Sequence, residues 1–192
     1  MWGRVLDSLK KYKKIQNTIV IFFSDNGPNG YRWNNDLKDR KGSTNEGGVR
    51  VPFLIQWPNE IKKGIQIKQI ASVLDIFPSL IELTDLSSNI NFDGLSFVKY
   101  LDNPLLKDDK RKIFSYWGNK RSVRNNNFIL DYNDELYDLR SDEQQLKPIV
   151  NSQNDYAELA NAKKNWKERV VGKYINKKEK RRFTVNFSSQ ID

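Results

Sequence analysis

The feature that most constrains this chain is the run Thr18-Ile-Val-Ile-Phe-Phe23, β-branched and aromatic throughout and without alternation. A strand with one wet face alternates polar and apolar residues. One that does not alternate reads as buried on both faces, as in a parallel sheet under helices. The run stops abruptly at Ser24-Asp25-Asn26-Gly27-Pro28-Asn29-Gly30, which is dense in turn formers. From there to Arg50 no hydrophobic period is visible, and Pro52-Phe-Leu-Ile-Gln-Trp-Pro58 then reads as a second buried strand. A long structureless loop inside an α/β domain is more often functional than accidental.

Around this pair the chain reads as helix and turn. Val5, Leu6, Leu9 and Tyr12 fall near a 3.6-residue period, which predicts a helix over 5–12. Val73, Leu74, Phe77, Leu80, Ile81 and Leu83 predict another over 71–83, with Pro78 near its first turns, where a missing N–H is tolerated. A turn is expected around Gly64. The polar stretch 103–112 reads as a boundary. Beyond it, 113–117, 121–124, 128–132 and 135–139 are short strand-like pieces separated by Gly, Asn and Asp, the pattern of a small antiparallel sheet. Leu159, Ala160, Trp166 and Val170 predict an amphipathic helix over 156–170, and 182–187 alternates like a late edge strand. The expected fold class is α/β: a parallel-rich sheet with flanking helices, then a small antiparallel C-terminal sheet packed by a helix. The expected division is 1–107, 108–172 and a basic tail at 173–192.

Composition narrows the chemistry. At 192 residues and 38% hydrophobic, the chain can bury a core of ordinary size and does not suggest general disorder. Its longest apolar run is far short of the ~20 residues of a bilayer span, and its first residues show no charged-then-apolar leader. There is no cysteine, hence no disulfide, thiolate zinc site or Cys nucleophile, and no histidine, the commonest general base and transition-metal ligand. Any metal must be a hard cation held by oxygen. Acid–base work falls to carboxylate, Lys or Tyr. The net charge of +9 is concentrated: residues 163–182 hold ten Lys/Arg against two Asp/Glu, leaving about +1 for the rest. That tail reads either as a solvated segment or as a polyanion contact in which Trp166, Tyr174 and Phe183 interleave with the cations.

The chemistry-bearing segment is 25–50. Asp25 and Asn26 lie just past the end of a strand, where open α/β sheets bind ligands, and their oxygens suit Ca²⁺ or Mg²⁺. Fifteen residues after Asn26 comes Lys41-Gly-Ser-Thr-Asn-Glu46-Gly-Gly-Val-Arg50-Val-Pro52. Its paired glycines permit close backbone approach, and Lys41 can act as a point charge against an oxyanion. Glu46 and Arg50, four apart, read as an ion pair fastening the loop. The residues alone support a hard-cation site beside a basic loop able to hold sulfate or phosphate. Tyr31, Trp33 and Trp117 are candidate rim aromatics for a sugar or aryl ring, or simple packing residues.

In combination these pieces are more specific. A strand ending Ser-Asp-Asn-Gly, then Lys-Gly-Ser-Thr-x-Glu-Gly-Gly-Val-Arg-Val-Pro, then Gln56-Trp57-Pro58, resembles the sulfatase family (arylsulfatase type) of the alkaline phosphatase superfamily. Ser72-Val-Leu-Asp75-Ile-Phe-Pro78, Asp93-Gly94, Arg121-Ser-Val-Arg124 and Glu135-Leu-Tyr-Asp-Leu139 continue the likeness through about residue 170. The resemblance implies that residues 1–107 are the C-terminal part of the catalytic α/β domain. It implies that Asp25 and Asn26 ligate a divalent cation, usually calcium, and that Lys41 contacts the sulfate of a sulfated small molecule or sulfated polysaccharide. In the family that metal also holds a formylglycine, made within Cys/Ser-x-Pro-x-Arg, whose hydrate attacks sulfur. No such motif occurs here, nor the family's Asp-Asp pair or its histidines. The chain alone is therefore expected to be catalytically incomplete, with formylglycine expected in a missing N-terminal half. The family implies a periplasmic, secreted or lysosomal setting. Two other readings stay open: a segment of a phospho- or phosphono-ester hydrolase of the same superfamily, and a non-catalytic polyanion-binding protein.

Overall fold

The computed structural model describes residues 2–150 and 152–171. In chain order its elements are α1 (Trp2–Lys11), β1 (Val20–Phe23), α2 (Glu46–Val49), β2 (Phe53–Gln56), α3 (Ile76–Leu83), α4 (Val98–Asp102), β3 (Ile113–Trp117), β4 (Lys120–Arg124), β5 (Phe128–Leu130), β6 (Leu136–Asp138) and α5 (Gln153–Trp166), with a π turn at Lys167–Val171. They form a mixed α/β fold in two units. The first comprises Met1–Ser24 and Pro52–Asp108, the second Asp25–Val51 and Asp109–Asp192. The chain passes from the first unit to the second after Ser24, returns at Pro52 and crosses again after Asp108. The loop 25–51 is held by bonds to the C-terminal sheet.

In the first unit β1 and β2 pair antiparallel, Val20 opposite Gln56 and Phe23 opposite Phe53. This corrects the expectation of a parallel arrangement for these strands. The connecting loop brings the chain back beside the strand it left, whereas a parallel pair needs a crossover to the opposite end. Double-sided burial is corrected too. Val20 is buried, but Phe22 (42% exposed), Phe23, Phe53 and Leu54 (58%) are largely open among the described residues. Phe97, Tyr100 and Leu101 of the α4 region form the unit's core, with Ile55, Ile61, Ile67 and Leu83 packed on them.

The expected helix over 71–83 opens with a 3₁₀ turn at Val73–Asp75 and becomes α3 at Ile76, so Pro78 does fall in its first turn. Ser72 and Asp75 form a capping box. The buried Asp75 carboxylate also accepts from the Leu95 N–H at 2.7 Å, and Ser79 Oγ donates to the Asp75 carbonyl and accepts from the Phe97 N–H. A Cβ on Gly94 would lie 2.0 Å from the Leu74 carbonyl oxygen, so only glycine lets these segments meet. The Asp75 and Asp93-Gly94 signatures are thereby explained as architecture.

The second unit carries the antiparallel meander β3-β4-β5-β6. One face buries Val123, Phe128, Leu130 and Leu136 beneath Leu159 of α5, which is fully buried. Burying one such side chain is worth about 1.5–3 kcal/mol. Trp166 stacks on Phe114 with centroids 5.3 Å apart and planes 4° from parallel, fastening the end of α5 to β3. Lys163 ties the same helix to the β5–β6 turn through the Asp131 carbonyl and Asp134. Trp166 is thus a packing residue. The expected edge strand at 182–187, the tail at 173–192, Tyr174 and Phe183 lie outside the described residues.

Candidate functional site

The loop 25–51 is folded on itself by glycines. The Gly27 N–H donates to the Gly48 carbonyl at 2.9 Å, and a Cβ on Gly27 would sit 1.9 Å from the Gly47 carbonyl oxygen. Gly47 is as tight against the backbone of Asp39, at 2.2 Å, and its N–H donates to the Lys38 carbonyl at 2.9 Å. Side chains at these positions would force the strands of the loop apart. The consequence reaches the predicted site residues: the Lys41 N–H donates to the Pro28 carbonyl at 3.2 Å, two residues past Asn26. Asp25, Asn26 and Lys41, fifteen residues apart in sequence, therefore belong to one small region.

Asn26 Nδ2 donates to Asp25 Oδ2, so the two side chains are in contact. Asp25 and Lys41 are exposed and Asn26 is half-buried. In kind, a carboxylate and an amide oxygen fit a hard cation; in number, two donors fall short of the six to eight that Ca²⁺ takes. Among the described residues no group of three Asp, Glu, His or Cys side chains is assembled for a metal.

Behind this region the loop is fastened to the sheet by polar contacts the sequence did not reveal. Ser122 Oγ donates to the Thr44 carbonyl at 2.6 Å, and the Glu46 N–H donates to Gln145 Oε1 at 2.9 Å. Glu46, at the start of α2, is 1% exposed. Its Oε2 lies 2.6 Å from Arg124 Nη1 and 3.8 Å from Arg50 Nη1. The expected Glu46–Arg50 pair is present, and Arg124, 78 residues on, is the shorter partner. Sequence spacing carries no sign of that contact.

Lys38 and Asp39 make a second attachment. Lys38 Nζ donates to Tyr137 Oη at 2.6 Å and to the buried Asp131 carboxylate at 3.2 Å. Burial pulls the Lys38 ammonium down, but Tyr137 and Asp131 outweigh it and its pKa lies above the ordinary lysine value. Burial pushes Asp39 up; hydrogen bonds from Ser43 and Asn45, with the charges of Lys120 and Lys38, more than offset this and hold it low. Burial and the hydrogen bond to Glu135 raise Tyr137.

The candidate rim aromatics separate into two kinds. Tyr31 (97%) and Trp33 (84%) are almost wholly exposed. Trp117 is half-buried, its Nε1 3.6 Å from where a Cβ on Gly42 would sit, beside Lys41. Among the described residues no helix is long and apolar enough to cross a membrane.

Comparison with known proteins adds a common origin to this geometry. The sulfatase family model matches residues 1–86. Mouse steryl-sulfatase is 32% identical over 126 residues, 59% of this chain and 20% of the relative. Dog N-acetylgalactosamine-6-sulfatase is 34% identical over 124 residues, 60% and 23% respectively. The crystal structure of Ps i-CgsB in complex with k-i-k-neocarrahexaose superposes with a TM-score of 0.75 at 25% identity, over 85% of this chain and 39% of that one. The chain thus spans about a fifth to a quarter of the length of these two curated relatives. Matched by the family model over its loop and both first-unit strands, and by sulfatase relatives over about 60% of its length, the chain is similar to the sulfatase family.

Proposed function

We propose that this chain is a segment of a sulfate-ester hydrolase that contributes two cation ligands, Asp25 and Asn26, and a sulfate-binding cation, Lys41. The observation that carries the reading is the glycine-packed loop, whose Lys41–Pro28 bond brings the ammonium-bearing residue into the region of the Asp25–Asn26 pair. A divalent cation such as calcium would supply positive charge beside the sulfate oxygens. Lys41, exposed and without a carboxylate partner among the described residues, would place its ammonium against the same oxyanion.

Hydrolysis of a sulfate ester transfers the sulfuryl group to water, and the alcohol leaves with a proton. The chain contains no cysteine and no serine followed by the x-Pro-x-Arg that would mark a formylglycine precursor. Binding and orientation are therefore the work of this segment, and the nucleophile, a formylglycine by family resemblance, lies outside it.

The test is titration calorimetry of the 192-residue chain with calcium and with sodium sulfate, followed by an aryl sulfate turnover assay. Lys41→Ala should weaken sulfate binding about tenfold, equivalent to ~1.4 kcal/mol, and leave calcium binding unchanged. Asp25→Ala should do the reverse. Turnover should match that of Lys41→Ala. Sulfate binding unaffected by Lys41→Ala would remove the assigned role, and turnover above that variant would show that the chain is not incomplete.

A further inference from the structure

Two large aromatic side chains stand in water on the loop that carries Lys41. Tyr31 is 97% exposed and Trp33 84%. The chain here is not loose. Gly30, at φ +80°, makes a tight turn closed by the Arg32 N–H on the Gly30 carbonyl at 3.0 Å. Asn34 Nδ2 then bridges the Leu37 and Asp39 carbonyls at 3.0 Å each. Both rings are thus open, on an ordered backbone, to a ligand that reaches this loop.

The third component is Arg40, immediately before Lys41. Its guanidinium carbon lies 3.9 Å from the Tyr31 ring centroid. Among the described residues no carboxylate forms an ion pair with Arg40. The adjacent Asp39 is occupied by Ser43, at 2.6 Å, and Asn45, at 2.8 Å. Beyond its hydrogen bond to the Tyr31 hydroxyl, a planar cation held against an aromatic ring has further donors for an anion that reaches the edge of the stack. Exposed aromatic faces suit the C–H face of a pyranose ring, and a guanidinium suits a sulfate or carboxylate borne by that ring. A steroid or simple aryl sulfate has one anionic group, which Lys41 would already take, and would leave Arg40 without a counterpart.

We infer that Tyr31, Trp33 and Arg40 form a second subsite, which binds a neighbouring anionic sugar residue of a sulfated polysaccharide while Lys41 binds the sulfate to be removed. This rests on the sulfate-binding reading of Lys41. Within it, the substrate class is a polyanionic sugar chain and not a lone aryl or steryl sulfate.

The experiment is titration of the full chain with sulfated hexasaccharides from carrageenan, chondroitin sulfate and heparan sulfate, with their desulfated forms and with sodium sulfate. Far-UV circular dichroism confirms that each variant is folded. At least one sulfated hexasaccharide should bind ten times or more tighter than inorganic sulfate and quench tryptophan fluorescence. Tyr31→Ala and Arg40→Gln should each remove about tenfold of that advantage and leave inorganic sulfate binding unchanged. Trp33→Phe should abolish the quenching while retaining most of the affinity. The inference is overturned if no hexasaccharide outbinds sulfate, or if Tyr31→Ala and Arg40→Gln bind hexasaccharides as the parent does, as they would if the basic tail alone attracted the polyanion. Lys41→Ala is the separate control: unchanged sulfate binding there sinks the sulfate-site reading, whereas the subsite stands or falls on Tyr31 and Arg40.

Discussion

Substituting Arg124 with Met should destabilise the loop 25–51 by an amount set by the uncompensated charge of a single buried carboxylate. Glu46 is 1% exposed; its Oε1 has no hydrogen-bond partner among the described residues, and its Oε2 is held by Arg124 at 2.6 Å. Removing that guanidinium leaves a buried negative charge with only the half-exposed Arg50, 3.8 Å away, beside it. Taking one partner from a buried pair costs about 3–5 kcal/mol, because the remaining charge is left uncompensated. The partner substitution Glu46→Gln should cost less, about 1–2 kcal/mol, because Arg124 retains 19% side-chain exposure through which water can solvate it. Urea unfolding followed by tryptophan fluorescence at pH 7 measures all three proteins. A loss under about 1 kcal/mol for Arg124→Met, or a larger loss for Glu46→Gln than for Arg124→Met, would refute the reasoning.

Gly27→Ala should cost about 1–3 kcal/mol through the 1.9 Å clash with the Gly47 carbonyl and weaken sulfate binding with it, whereas Gly3→Ala, with nothing within 4 Å of its Cβ, should be neutral or stabilising; thermal melts that rank them otherwise remove the close-packing account. The second unit should show a stability plateau bounded on both sides. Asp39, held low, contributes above its ordinary value of 3.8, and that contribution is lost as pH falls through its folded value. Lys38, held high, contributes fully below 10.5, and that contribution is lost as pH rises through its folded value. Asp39→Asn should flatten the acid limb and Lys38→Met the alkaline limb of midpoint against pH; a limb unchanged by its own substitution would show that the residue does not set it.

What the sequence disclosed follows from what is local. The amphipathic periods produced α1, α3 and α5, with starts at Trp2, Ile76 and Gln153, because a helix needs only near neighbours to form its bonds. The four short pieces beyond residue 112 became β3–β6, since turn residues such as Gly118, at φ +56°, mark where each strand must end. The direction of β2 against β1 was not legible. An apolar run says that a strand can be covered, not which way its partner runs or whether a cover is supplied, and Phe22 and Leu54 show that here much is not. For the site, Asp25, Asn26 and Lys41 were readable as residue types at a spacing. What holds the region in shape was not, because Glu46–Arg124, Thr44–Ser122 and Lys38–Asp131 join residues 78 to 93 positions apart.

Those long-range contacts change how the C-terminal sheet should be regarded. Viewed along the chain it is an appendage following the segment that carries the site residues. The loop 25–51 nevertheless belongs to the same unit as β3–β6, and its buried polar side chains find their partners there. An oxyanion site needs its cation fixed before the ligand arrives, since ordering it afterwards would subtract from binding. Lys41 is an exposed residue on a backbone whose next five positions, Gly42 to Glu46, end at a carboxylate locked by Arg124 and an N–H locked by Gln145. The rigidity of the proposed anion site would therefore be supplied by residues about eighty to a hundred positions downstream. On that proposal a sheet with no ligand-bearing side chain assigned to it becomes part of the binding apparatus, and its polar contacts to Thr44 and Glu46 are where changes remote from Asp25, Asn26 and Lys41 would be felt at them.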